Sequence, residues 1–174
     1  MSTMPIGPEI TTEQIEQFLA AAQKIVADVP FCWLATRSAD GGANARAVRS
    51  NAGRPCDDEW TRRFLVRRES RKVGEMRAAE RVTLAYQHDS GDAYVALAGR
   101  AILVDDVAEM RSLWPSTMDA RFPPGFAEAH MMVVRDETDR IEVHLRGLTR
   151  EPFGHGRTLI DRSTTGVWRF VPDY

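Results

Sequence analysis

The chain has 174 residues, is 43% hydrophobic and 28% charged, and carries a formal net charge of −2. That balance suits one folded domain over 1–174 and argues against a disordered chain or a general nucleic-acid binder. No apolar run approaches the ~20 residues that span a bilayer and no basic-then-apolar leader opens the chain, so a cytoplasmic protein with no membrane or nucleic-acid partner is expected.

The first segment, 1–11, reads as a flexible arm. Thr11 and Gln14 have capping-box spacing, in which the hydroxyl accepts from one free helix amide and the glutamine reaches back to another. Ile15, Phe18, Leu19, Ala22, Ile25, Val26 and Val29 recur at helical spacing, predicting an amphipathic helix over 12–28 that Pro30 ends. The period then changes. Residues 31–37 predict a strand, 38–42 a turn on Asp40-Gly41-Gly42, and 43–50 the returning strand. A loop follows over 51–58, a third strand over 60–67, a short helix over 70–79 with Val73 and Met76 on one face, and a strand over 81–88. A turn at 89–92 leads into a long strand over 94–104 and a helix over 105–114 with Asp106 at its cap. Three prolines and a glycine keep 115–125 irregular. Residues 131–135 and 140–145 predict a hairpin around a solvated Asp136-Glu137 turn. Residues 146–163 predict a polar excursion, and 167–171 a last strand within a C-terminal extension, 146–174. Trp33 and Trp60 are expected inside. Six or seven short strands with two or three helices predict a mainly β fold with peripheral α, closed as a barrel to remove open edges.

Cys32 and Cys56 read as free thiols, with one disulfide as the alternative. His88, His130, His144 and His155 have no metal-ligand spacing, so no metal site is expected. The cations are more informative. Arg46, Arg49, Arg54, Arg62, Arg63, Arg67, Arg68, Arg71 and Lys72 crowd one stretch that holds only Asp57, Asp58, Glu59 and Glu69 as acids. In a net-negative chain this concentration predicts a bound anion. Its sharpest point is Ser70-Arg71-Lys72, which follows a strand and opens a helix. Free amides and the helix dipole favour an anion there, arginine offers a bidentate fork, and lysine offers a mobile point charge. A solvated basic turn is the competing reading of so short a triplet. Arg46 and Val48 share one strand face. If that strand neighbours the one at 60–67, Arg46 reaches the same anion; otherwise it is an exposed strand residue.

The ordered series Leu34-Ala35-Thr36, Asp40-Gly41, Arg46-Ala47-Val48, Phe64-Leu65-Val66 and Ser70-Arg71-Lys72, continued through Arg81-Val82-Thr83-Leu84-Ala85-Tyr86 and Tyr94-Val95-Ala96-Leu97-Ala98-Gly99, resembles the pyridoxamine 5′-phosphate oxidase superfamily. It lies closest to the general stress protein branch. The resemblance implies a split β-barrel of the FMN-binding type and a homodimer with the cofactor at its interface. It places Arg71 and Lys72, with Ser70 and Arg46, on the FMN phosphate. Ala47, Val48 and Arg49 would lie along the isoalloxazine, Leu65 and Val66 behind it, and Tyr94, Trp114 and His144 close by, Trp114 from the second subunit. It implies an FMN-dependent oxidoreductase passing hydride through flavin N5, with NAD(P)H or a small organic molecule as its reaction partner and no assigned catalytic residue. Two alternatives stay open. One is a flavin-holding stress or sensor protein without turnover. The other is a haem- or deazaflavin-binding split barrel, with His144 or His155 as axial ligand in the haem case. Asn51 stands where the oxidases carry a lysine, and 112–125 lacks their tyrosine, arginine and serine set, so the resemblance names a cofactor and not a substrate. Arg157, Asp161-Arg162 and Trp168 resemble the oxidases' C-terminus; a surface strand anchored by Trp168 is the competing reading.

Overall fold

The computed structural model describes residues 10–149 and 158–172. Helix α1 (Thr12–Asp28) begins at the expected capping box. The Gln14 amide donates to the Thr11 hydroxyl at 3.2 Å, and the Thr11 amide donates to the Gln14 side chain at 2.9 Å. Strands β1 (Phe31–Arg37) and β2 (Ala43–Arg49) form a hairpin through Gly41, whose φ of +88° suits glycine. There follow β3 (Asn51–Ala52), β4 (Arg62–Arg67), α2 (Arg71–Ala78), β5 (Arg81–His88), β6 (Ala93–Val104), α3 (Val107–Leu113), α4 (Phe126–His130), β7 (Met131–Leu145), β8 (Thr158–Arg162) and β9 (Trp168–Val171).

The strands form one antiparallel sheet in the order β2-β1-β5-β6-β7-β4-β3, with β8 beside β7 and β9 beside β8. β2 and β3 stand at opposite ends of that order, yet only Ser50 separates them in the chain. The sheet therefore has to curl until its ends approach. Ser50 marks the junction: its hydroxyl shares a 2.7 Å hydrogen bond with the buried Tyr86 hydroxyl and accepts from Arg62 Nε at 3.1 Å. Leu34, Phe64, Leu84, Leu97 and Ile141 fill the interior together with Ile15, Phe18, Ala22 and Val26 of α1. A second cluster of Met110, Trp114, Ala127 and Val133 lies where α3 and α4 cover β7. No described helix is long and apolar enough to cross a membrane.

Several expectations change. The hairpin over 131–145 is one continuous strand of 15 residues. Its polar centre is not a solvated turn: Asp136 is 0% exposed, and Thr138 Oγ1 donates to its carboxylate at 3.2 Å and to the Trp60 carbonyl at 3.0 Å. The register shifts at Ala98/Gly99, and this irregularity absorbs the polar residues without reversing the chain. The expected polar excursion contains β8, the expected loop over 51–58 opens with β3, and α4 had no strong local signal. Residues 115–125 hold only a short 3₁₀ turn, Ser116–Met118. Trp60 is buried as expected, but Trp33 points outward and is 56% exposed. Both cysteines are free, Cys32 buried and Cys56 exposed.

Candidate functional site

The Ser70-Arg71-Lys72 triplet opens α2 as expected. Ser70 is the N-cap residue, but its hydroxyl donates back to the Arg67 carbonyl at 2.7 Å and caps no helix amide. No acid lies in the first turn. The positive end of this helix thus lacks the side-chain acceptor such ends normally acquire. Lys72 is half-buried and has no ion-pair partner among the described residues. Burial and then the nearby Arg46 charge push its ammonium below the usual lysine range, against a smaller opposite pull from Glu75.

Arg46 and Asn44 point inward from β2. Arg46 Nη2 meets Glu75 at 2.6 Å, while Nη1 donates to the Thr36 hydroxyl and to the carbonyls of Asn44 (3.1 Å) and Leu34 (3.4 Å). β2 pairs with β1 and not with β4, and Arg46 reaches Glu75 of α2 beside Thr36 of β1. Arg71 Nε lies 3.3 Å from the same carboxylate. A groove of ≈ 790 Å³ passes this cluster, lined in part by Arg37, Asp40, Asn44, Arg71, Gly74 and Glu75.

The other expected residues fall into separate places. Val48 and Val66 are core residues. Leu65 and Trp114 belong to the second cluster, where Trp114 packs on Phe122 at 5.7 Å and donates to Asp119 at 2.9 Å. Ala47, Arg49, Tyr94 and His144 lie on the outer sheet face. There Tyr94 and His144 stack at 5.9 Å and the Tyr94 hydroxyl donates to Glu142 at 3.2 Å. Within one chain the candidates do not converge on a single pocket. His155 and Arg157 lie outside the described residues.

Sequence reasoning missed the partners of the basic stretch. Arg63 is 1% exposed and bridges Asp57 (2.6 Å) and Glu109 (2.7 Å); Arg54 approaches Glu109 at 3.5 Å, and Arg68 pairs with Asp105 at 2.6 Å. Much of the local positive charge is therefore neutralised internally. Alternation could have marked Arg63, which shares a strand face with Leu65, as a buried cation in need of acids. Glu75 had no signal beyond its i,i+4 spacing from Arg71.

A family model described as "Pyridoxamine 5′-phosphate oxidase like" matches residues 17–144. The chain belongs to this family. No curated protein matches it. Among solved structures, an oxidase-like neighbour is a Clostridium acetobutylicum protein related to general stress protein 26 of Bacillus subtilis. It is 16% identical with a TM-score of 0.65, covering 84% of this chain and 95% of that one. A pyridoxamine 5′-phosphate oxidase-related, FMN-binding protein from Nostoc punctiforme is also 16% identical at TM-score 0.65, covering 98% and 100%. A haem-binding protein from Mycobacterium smegmatis is 16% identical at TM-score 0.57, covering 80% and 56%. At these identities the likeness is one of fold, and the fold of this oxidase-like chain is the split β-barrel.

Proposed function

We propose that this member of the oxidase-like family binds FMN and serves as an FMN-dependent oxidoreductase. The observation that carries the proposal is Lys72: a half-buried cation beside Arg46, at an uncapped helix start, with no carboxylate on it. Arg46 has Glu75, but Lys72 in this partly dry mouth has no acid of its own among the described residues, and a phosphate monoester supplies the anion it lacks. Lys72, Arg71 and the first amides of α2 would hold the FMN phosphate, with Ser70 bordering it and Arg46 adding positive potential from inside. Bound FMN would supply hydride transfer through its N5 to or from NAD(P)H or a small organic substrate. The chain's own residues bind, orient and exclude water.

The remaining candidates support a shared site. In register across the outer face run Ala47, Trp33, Ala85 and Ala96, with Ala45, Ala35, Thr83 and Ala98 in the next row. This low surface of small residues carries the exposed Trp33 and Phe31. Such a face suits a second copy of the chain, an isologous dimer that would bring Arg49, Tyr94 and His144 beside the partner's cradle. The Nostoc neighbour's FMN binding favours flavin. The haem-binding neighbour and the outward His144 favour haem as the second reading.

The test is the visible spectrum of the purified protein followed by titration with FMN. Flavin bands and FMN release on denaturation are expected, with Lys72→Ala weakening FMN at least tenfold, on the order expected for one charge-assisted phosphate contact. A Soret band selects the haem reading. Reduction of the flavin by NAD(P)H and reoxidation by an acceptor separate an enzyme from a flavin-holding stress or sensor protein.

A further inference from the structure

Glu75 lies on the inward face of α2, one turn beyond Arg71, and two of the cradle's cations, Arg46 and Arg71, converge on it. Its nearly inaccessible carboxylate accepts from Thr36 Oγ1 (2.5 Å), Asn44 Nδ2 (2.6 Å) and Arg46 Nη2 (2.6 Å), with Arg71 Nε at 3.3 Å. The two guanidiniums are not held alike. Arg46 is fixed, because its other terminal nitrogen is occupied by Thr36 and two carbonyls. Arg71 is loose: its side chain is 73% exposed and its approach to Glu75 is the longest of the four. Glu75 also lines the groove that Arg71 borders, so a ligand phosphate there meets a fixed negative charge together with the cations.

Resting on the flavin reading above, we infer that Glu75 is the resident counter-anion of the cradle, which a ligand phosphate must displace from Arg71, so that it weakens retention of phosphate-bearing flavin and keeps that flavin exchangeable. A buried carboxylate beside an incoming phosphate is a like-charge contact, and such contacts are costly where water is scarce. Protonation does not relieve it near neutral pH. The Thr36 hydrogen bond first, with those of Arg46 and Asn44, holds Glu75 below the usual carboxylate range. Glu75 is a positioning residue for Arg46 and a competitor for Arg71. A purely structural role would instead make its loss weaken every flavin alike.

The experiment titrates FMN and riboflavin, which differ by the phosphate, into full-length wild type, Glu75→Gln and Lys72→Ala, followed by flavin fluorescence. The expected result is FMN bound roughly tenfold tighter or more by Glu75→Gln, with riboflavin unmoved. Unchanged or weaker FMN binding, or equal shifts for both flavins, overturns the inference while leaving the flavin reading standing. If Glu75→Gln melts far below wild type, Asn44→Asp serves instead. A second carboxylate in the cluster should weaken FMN and spare riboflavin; unchanged FMN binding overturns the inference. Wild type that binds FMN no better than riboflavin, or Lys72→Ala that leaves FMN binding intact, removes the flavin reading and this inference with it.

Discussion

Among the described residues, Asp136 is the acid whose titration reaches the neutral range. Burial, first, pushes its carboxyl up to about 7, with Thr138 opposing and Asp139 adding to the rise. In the unfolded chain the group ionises near its ordinary 3.8, so between the two values the folded state holds an extra proton. The contribution is fully present below 3.8 and is lost as pH rises toward about 7. The stability difference between wild type and Asp136→Asn should therefore shift against wild type from about pH 4 to about pH 7, read from thermal melting of both. A difference between the two proteins that stays constant over this range would contradict the assigned environment. The residue scale also shows how far a basic stretch can be read from sequence alone. Crowded cations were legible, but which of them already had acids was not. Arg63, on β4, takes Glu109 from α3, and Arg46 takes Glu75 from 29 residues away. Once those pairs are removed, Lys72 is left without an acid among the described residues, as Arg49, Arg62 and Arg67 are, and burial beside Arg46 is what sets it apart.

Elements with a strong local period were legible close to their ends. The capping box, the 3.6-residue stripe of α1 and the alternation of β1 and β5 each report on neighbours within a few residues. Both ends of β7 were legible as strand but not their continuity, because Asp136-Glu137-Thr138-Asp139 has turn composition and only the flanking β4 and β6 make it strand. The same irregularity explains Gly99. A Cβ there would lie 2.4 Å from the Glu137 carbonyl oxygen and 2.6 Å from Asp136 Oδ1. The backbone oxygen belongs to the paired strand and cannot swing aside. Gly99→Ala should destabilise by about 1–3 kcal/mol, the usual range for overpacking, measured by urea unfolding. A neutral substitution would mean that β7 relaxes at the bulge.

At the scale of the molecule, the outer face is where the proposed second copy would sit. Trp33 at 56% and Phe31 at 59% exposed are large rings on a sheet of small residues. On the proposed shared site, wild type should be a dimer in light scattering at micromolar concentration, and Trp33→Asp should make it a monomer and weaken FMN binding in parallel. A wild-type monomer would remove the second copy from the proposal. By itself the sequence determined the helix starts, most strand periods, the mainly β class and the family resemblance, because capping, alternation and ordered motifs are written in neighbouring residues. Only the tertiary structure decided the rest. It curled the sheet so that Ser50 joins its two ends, turned Trp33 outward, and gave Arg46, Arg54, Arg63 and Arg68 acids from distant segments. It also left Lys72 without such an acid beside Arg46. Those outcomes depend on contacts between residues far apart in the chain, and no local pattern encodes which distant charge will arrive.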